Sequence, residues 1–207
     1  MSCAVCERRK PRRDCPALGK GICDACCGRY RELTLDCPAE CPHLIDAYRY
    51  ERQRPVPESR KFRPDFPLSA RQVDEIQQLL TTLLEGLQAF RQRHRELADA
   101  DLAEAMESRL KALETQASGL VYDASPVGGL GRELYQQLAE LEQKPGQRSE
   151  LAPATVPTRE QRILAYVLLI RTVKINSSGR ARARGFMVWL NDRFPPRAPE
   201  APLVIAP

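Results

Sequence analysis

The chain has 207 residues, a formal net charge of +5, 29% charged and only 6% aromatic residues, and 17 prolines. That length allows one or two domains with a real core, and the composition excludes a β-sandwich or barrel in favour of short helical domains joined by linkers. MSCAVCERRK has no apolar stretch behind its charges, so no secretory signal is expected, and the longest apolar run, Ile163–Ile170, is far short of the roughly twenty residues a membrane helix needs. A soluble, cytoplasmic protein without membrane contact is the expectation.

Residues 1–45 form a cysteine segment holding all 8 cysteines, from Cys3 to Cys41. Disulfides, structural zinc, an iron–sulfur cluster and a redox dithiol all use such thiols. In a reducing compartment clustered cysteines bind metal more often than they cross-link. The spacing reads C-x2-C-x8-C-x7-C-x2-C-C-x9-C-x3-C, with His43 two residues beyond Cys41. A two-residue gap lets both sulfurs of a pair turn onto one ion, with Zn–S near 2.3 Å, and two pairs close a tetrahedral structural site. Ferredoxin-type runs are absent, and nothing suggests the βαβ setting of a thioredoxin-like motif. Cys3, Cys6, Cys23 and Cys26 are thus expected to bind one Zn²⁺. Cys26 and Cys27 are adjacent, so their side chains diverge and serve different ions. Cys15, Cys27, Cys37 and Cys41 are expected to bind a second Zn²⁺, with His43 as the alternate ligand in place of Cys41. The segment holds too few large apolar residues to fold without metal.

The run Cys3–Cys6, Cys15, Cys23–Cys26 and a downstream pair resembles the cross-braced B-box class of zinc fingers. Leu18 stands near the place where B-boxes carry a further ligand, so Cys27 would substitute, and the last pair is cysteine where B-boxes favour histidine. The resemblance covers about a fifth of the chain and implies a similar zinc-binding scaffold, not ubiquitin ligase activity. CPAECPHL with CCGRYREL, followed by charged helices, is also similar to a group of uncharacterised bacterial proteins with cysteine-rich amino termini, a similarity that implies no function.

Residues 46–68 read as a short helix within Leu44–Arg54 followed by an extended linker, Pro55–Pro67. Residues 69–142 carry the clearest helices. After Ser69 as N-cap, Val73, Ile76, Leu80, Leu83, Leu87, Phe90, His94 and Leu97 follow a 3-4 heptad spacing. Asp101 with Glu104 reads as a capping box starting a second helix, and the short turn between the two predicts an antiparallel hairpin. The Gly128–Gly131 run lacks the strand and lysine of a phosphate loop and reads as the start of a third helix. Residues 143–157 are a polar linker. Residues 158–195 read as a basic helical hairpin, with Thr158 and Gln161 as a capping box, Ile163, Val167, Ile170 and Val173 on one face, and a last helix ending at Phe194 that Trp189 anchors. Residues 196–207 are a proline-rich tail. The fold class expected is mainly α: a small irregular two-zinc finger followed by an α-helical bundle.

Charge is uneven along the chain. Residues 1–64 hold 14 basic against 9 acidic residues, 71–157 hold 9 against 14, and 159–197 hold 9 against 2. Two zinc ions on eight thiolates would offset most of the first excess but not the last. The basic stretches 7–14 (Arg8, Arg9, Lys10, Arg12, Arg13) and 171–184 (Lys174, Arg180, Arg182, Arg184) suit phosphate contact, although no RNA-binding aromatic signature accompanies them. Docking of the second stretch on the acidic middle helices is the competing expectation. No nucleophile–base pair or carboxylate cluster is evident among 2 histidines, so an enzyme is not expected. The functional expectation is a zinc-binding scaffold or regulatory protein. It would act through an unidentified protein partner, presenting the Glu7–Asp14 loop and the Gly28–Leu35 segment, with the Val73–Leu97 helix forming either an intramolecular hairpin or a homodimer. Nucleic-acid binding is the alternative.

Overall fold

A computed structural model describes residues 2–54, 70–117, 125–126, 128–145 and 156–195, with only the backbone described for 70–75 and 117. The Pro55–Pro67 linker, Ser69, the Val73 side chain and the 196–207 tail lie outside the described residues, as does most of the 143–157 linker.

In the cysteine segment a short hairpin forms first. Strand β1 (Arg13–Cys15) pairs antiparallel with β2 (Lys20–Ile22), Arg13 opposite Ile22 and Cys15 opposite Lys20. The chain reverses through Gly19, whose φ of +61° suits a residue without a Cβ, and the Leu18 and Gly19 amides both donate to the Cys15 carbonyl. Strand β2 leads directly into helix α1 (Asp24–Tyr30). An irregular stretch then leads to α2 (Pro42–Gln53), which carries proline in its first turn, where a missing N–H is tolerated. The finger expected to be irregular therefore contains a hairpin and a helix. Three-residue strands show no readable period, and the buried face of α1 consists of cysteines, which periodicity counts poorly.

The remaining helices are α3 (Ala70–Arg93), α4 (Asp99–Ala117), α5 (Gly129–Leu141), α6 (Arg159–Asn176) and α7 (Gly185–Arg193). The heptad seam is real on α3: Ile76, Leu83, Leu87 and Phe90 are fully buried, and Leu97 beyond the helix almost so. That seam is covered within the chain by other helices. Its partners differ from the expected hairpin, because α3 and α4 each make their principal contacts with α5 and α6. Helix α7 touches both α3 and α4 near the turn that joins them, and its Phe186, Met187 and Leu190 are fully buried.

Capping explains the helix starts, with one shift from expectation. At α6 the box is as read: the Gln161 amide donates to Thr158 Oγ1 at 3.2 Å, and the Thr158 amide donates to Gln161 Oε1 at 2.9 Å. At α4 the helix begins at Asp99, and Asp101 sits inside its first turn, accepting from the Ala98 amide at 2.9 Å. Asp101 thus fills the reaching-back role assigned to Glu104. Helix α5 starts at the glycine run as expected. Helix α6 buries a broader face than the single stripe expected: Ala165, Tyr166, Leu169, Ile170 and Val173 are buried while Ile163 and Val167 are only half-buried. It packs on α3, α4 and α7 together, so one narrow stripe would not suffice. The last helix begins only at Gly185, leaving Arg180, Arg182 and Arg184 in the connection and not on a helix.

The buried side chains of the cysteine segment and of the helices form one continuous apolar cluster. At its seam, a Cβ on Gly185 would collide with the Asn176 carbonyl oxygen and the Tyr48 ring, so α7 starts where only glycine fits.

Candidate metal centre

The first thiol set is held by two local devices. In the first loop the Glu7 amide donates to the Cys3 carbonyl at 2.9 Å, which closes a tight turn around Cys6, and the Ala4 amide donates to the Gly21 carbonyl at 3.0 Å, which fixes that turn beside β2. The second pair stands at the start of α1, where Cys23 is the N-cap and the Cys27 amide donates to its carbonyl. The Sγ atoms of Cys3, Cys6, Cys23 and Cys26 all lie within 4.8 Å of one another. Among the described residues these are the one set of histidine, cysteine and acidic side chains gathered so closely. Four sulfurs about 2.3 Å from one ion would stand about 3.8 Å apart along the edges of a tetrahedron, and Cys6 Sγ and Cys23 Sγ are 3.9 Å apart.

The electrostatics of this set suit a cation. Burial raises the Cys3 pKa, but the backbone N–H groups of Cys6, Cys23 and Val5 outweigh it and bring the thiol down to about 6. One of these donors is visible directly, since the Cys23 amide lies 3.3 Å from Cys3 Sγ. Cys6 is lowered by the amides of Arg8 and Arg9. Cys26 goes the other way, pushed up to about 12 by burial and by its sulfur neighbours Cys23, Cys6 and Cys3. Thiolates close together repel, and a shared divalent ion removes that repulsion by taking all four sulfurs as ligands. All 8 cysteines are free thiols, so the set is available for metal and not committed to disulfides. Four protein sulfurs on one ion would close its tetrahedron and leave no position for water or substrate.

Cys15, Cys27, Cys37 and Cys41 are likewise buried but less tightly gathered. Burial raises the Cys37 pKa against the pull of the Glu32 amide, and Cys41 and Cys15 are near enough to raise it further. Cys27 faces cations: Arg13 Nη1 lies 3.5 Å and Arg31 Nη2 4.0 Å from its sulfur. Cys26 and Cys27 do diverge, Cys26 entering the first set while Cys27 turns to the two guanidinium groups. His43 is half-buried at the start of α2, and its ring nitrogens join no such set among the described residues.

The loop between Cys27 and Cys41 is also the surface on which the bundle sits. Glu32 is buried with φ of +55°. Its carboxylate accepts from the Tyr48 hydroxyl at 2.8 Å, the Ser178 hydroxyl at 3.1 Å and the Arg184 amide at 2.7 Å. The buried Arg184 guanidinium donates to the carbonyls of Cys37 at 2.6 Å, Glu96 at 2.8 Å and Leu97 at 3.2 Å, and pairs with Asp36 at 2.8 Å. Nearby, Arg91 of α3 pairs with Glu40 and donates to Asn191 of α7 at 2.9 Å. None of Glu32, Tyr48, Asp36 or Glu40 stood out in the sequence. Single polar residues with no period give no signal until the chain brings them together.

The basic residues separate into two groups. Arg8, Arg9 and Lys10 are exposed on the loop after Cys6, Arg12 is exposed but lies 3.9 Å from Asp24, and Arg13 pairs with the same carboxylate at 2.6 Å. In the second stretch Lys174 pairs with Glu107 at 2.7 Å, Arg180 donates to the Arg31 carbonyl at 2.7 Å, Arg184 is buried, and Arg182 is exposed. The Gly28–Leu35 segment, expected to face outward, turns Glu32 and Leu35 inward, although Leu33 remains exposed. His94 stacks on Phe90 at the bundle edge with Nε2 3.1 Å from Glu133, away from any thiol. Trp189 is half-buried and stacks on Phe186. No helix among the described residues is long and apolar enough to cross a membrane. Searches against protein families, curated proteins and solved structures find no match to the chain.

Proposed function

We propose that the protein is a zinc-binding scaffold or regulatory protein of the cytoplasm, acting through contacts with another protein, with zinc as a structural ion and no catalytic role. The observation that carries this reading is the closed set of four buried thiols, Cys3, Cys6, Cys23 and Cys26, within 4.8 Å of one another. Such a set fits an ion that shapes a surface better than one that handles substrate. A second zinc on Cys15, Cys27, Cys37 and Cys41 belongs to the same proposal. It is supported by the burial of all four thiols and by the two arginines that donate towards the Cys27 sulfur, which favour its thiolate. Free thiols throughout favour a reducing compartment.

The test is metal content with an absorption spectrum on protein purified without chelator. Two zinc ions per chain and no visible absorption agree with the proposal. A brown protein absorbing near about 400 nm would replace zinc with an iron–sulfur cluster bound by the same cysteines.

Nucleic-acid binding is kept as a second reading for one reason: Arg8, Arg9, Lys10 and Arg12 project from a single loop. It now rests on that loop, because the 171–184 stretch is largely engaged within the chain. Binding to mixed-sequence RNA or DNA that weakens steeply with salt would support it, and no binding at low salt would remove it.

A further inference from the structure

We propose that the second thiol set controls the docking of α7, so that metal there acts as a latch holding the carboxy-terminal helix on the bundle. This rests on the proposed second zinc site. The loop from Arg31 to Cys41 has little of its own to hold it in place. Its regular structure is one isolated bridge between Arg31 and Leu35, and its buried apolar residues besides the cysteines are Leu35 and Ala39. Metal bound to Cys37 and Cys41 would therefore supply much of the loop's rigidity, since binding to an otherwise loose site is folding free energy.

That loop carries acceptors that α7 and the segment before it cannot lose. Arg184 immediately precedes α7, and two of its side-chain partners, the Cys37 carbonyl and the Asp36 carboxylate, belong to the loop. The Arg182 amide donates to the Glu32 carbonyl at 3.0 Å, and the Arg180 guanidinium donates to the Arg31 carbonyl. In return Glu32 takes the Arg184 amide and the Ser178 hydroxyl. If the loop departs, Arg184 loses the Cys37 carbonyl and the Asp36 carboxylate, and Glu32 leaves the Arg184 amide and the Ser178 hydroxyl, so the polar contacts at the start of α7 are lost together. Loss of metal and release of the 177–193 segment are then one event. Linkage makes the coupling reciprocal: weakening the Arg184–Glu32 node must weaken metal at the second set and leave the Cys3–Cys6–Cys23–Cys26 set unaffected.

The experiment uses the full-length zinc-loaded protein. A zinc chelator is titrated while released metal is followed by a colorimetric indicator and amide hydrogen exchange is read in α7, with α4 and α6 as internal references. The expected result is that one zinc leaves first, and that exchange of the Val188 and Phe194 amides accelerates about tenfold or more with it while α4 and α6 stay protected. Arg184→Met should weaken that zinc by about tenfold and spare the other. Tyr48→Phe, which removes a single donor to Glu32, should show the same effect at smaller size if Arg184→Met does not fold. Two zinc ions whose affinities are unchanged in both variants, or α7 exchange that stays flat through removal of both ions, overturns the latch alone. A protein that holds a single zinc, on Cys3, Cys6, Cys23 and Cys26, overturns the latch together with the second site.

Discussion

The two thiol sets are built in opposite ways although they share one short segment. Cys3, Cys6, Cys23 and Cys26 are assembled by near neighbours: two C-x2-C turns, a hairpin between them and the first turn of α1. Their sulfurs converge within 4.8 Å before any distant element is involved. Cys15, Cys27, Cys37 and Cys41 come from a strand end, a helix and two loop positions, and the loop bearing the last two is tied to α3, α7 and the 177–184 connection through Arg91 and Arg184. A site made of local knuckles depends on metal alone. A site made of scattered residues inherits the stability of everything its loop touches.

Removing a ligand from each set gives the largest contrast. Cys26→Ser should abolish one metal site, whose binding is worth roughly 10 kcal/mol or more in zinc modules of this size, and loosen the Cys3–Cys6 turn beside β2 while the second set keeps its ion. The α3–α6 bundle should remain folded, with circular dichroism retaining most of its helical signal. Equal loss of helix in α3–α6 would show that the first set is not local. Arg184→Met, acting from the bundle side, should cost about 1–3 kcal/mol by leaving the carbonyls of Cys37, Glu96 and Leu97 without their shared donor. Denaturant unfolding would measure that loss.

A pH titration separates the regions by sign. Asp99, at the start of α4, accepts from the Phe186 amide at 3.2 Å, and burial raises its carboxyl to about 6 despite that donor. A carboxyl raised above its unfolded value is destabilising when ionised, so the bundle should gain stability as pH falls through about 6 towards 4, by about 2–3 kcal/mol at most. Asp99→Asn should flatten that slope. Cys3 has the opposite linkage, because its folded pKa, about 6, lies below the ordinary thiol value. Its contribution is present at high pH and lost as pH falls through about 6, when protons also begin to displace metal. Acidification should therefore release metal while the apo bundle becomes more resistant to denaturant, and a parallel loss in both regions would contradict the assignment. The smallest effect belongs to neither set: Thr158→Ala removes the α6 capping box and should cost about 1 kcal/mol, without changing metal content.

The same contrast explains what the sequence showed. C-x2-C spacing is a local constraint, so the gathering of the first four thiols was readable, as were the α3 seam, the Thr158–Gln161 box and the glycine start of α5. The divergence of Cys26 and Cys27 followed from their adjacency. What was not readable is long-range. The Arg180–Arg184 stretch has the composition of a phosphate-binding arm, yet Arg184 is buried because carbonyls from Glu96, Leu97 and Cys37 meet around it. The short turn after α3 suggested a hairpin, but α5 and α6, reached only after long intervening segments, supply the better apolar partners. Glu32, with a left-handed backbone and four donors around its side chain and carbonyl, left no mark in the sequence at all.

Metal stoichiometry in the Cys27→Ser variant tests the central claim most directly. Two interleaved sites predict two zinc ions in the parent chain and one in the variant, the survivor being the ion that Cys26→Ser removes. Two zinc ions retained in Cys27→Ser, or none in either protein, would contradict the account.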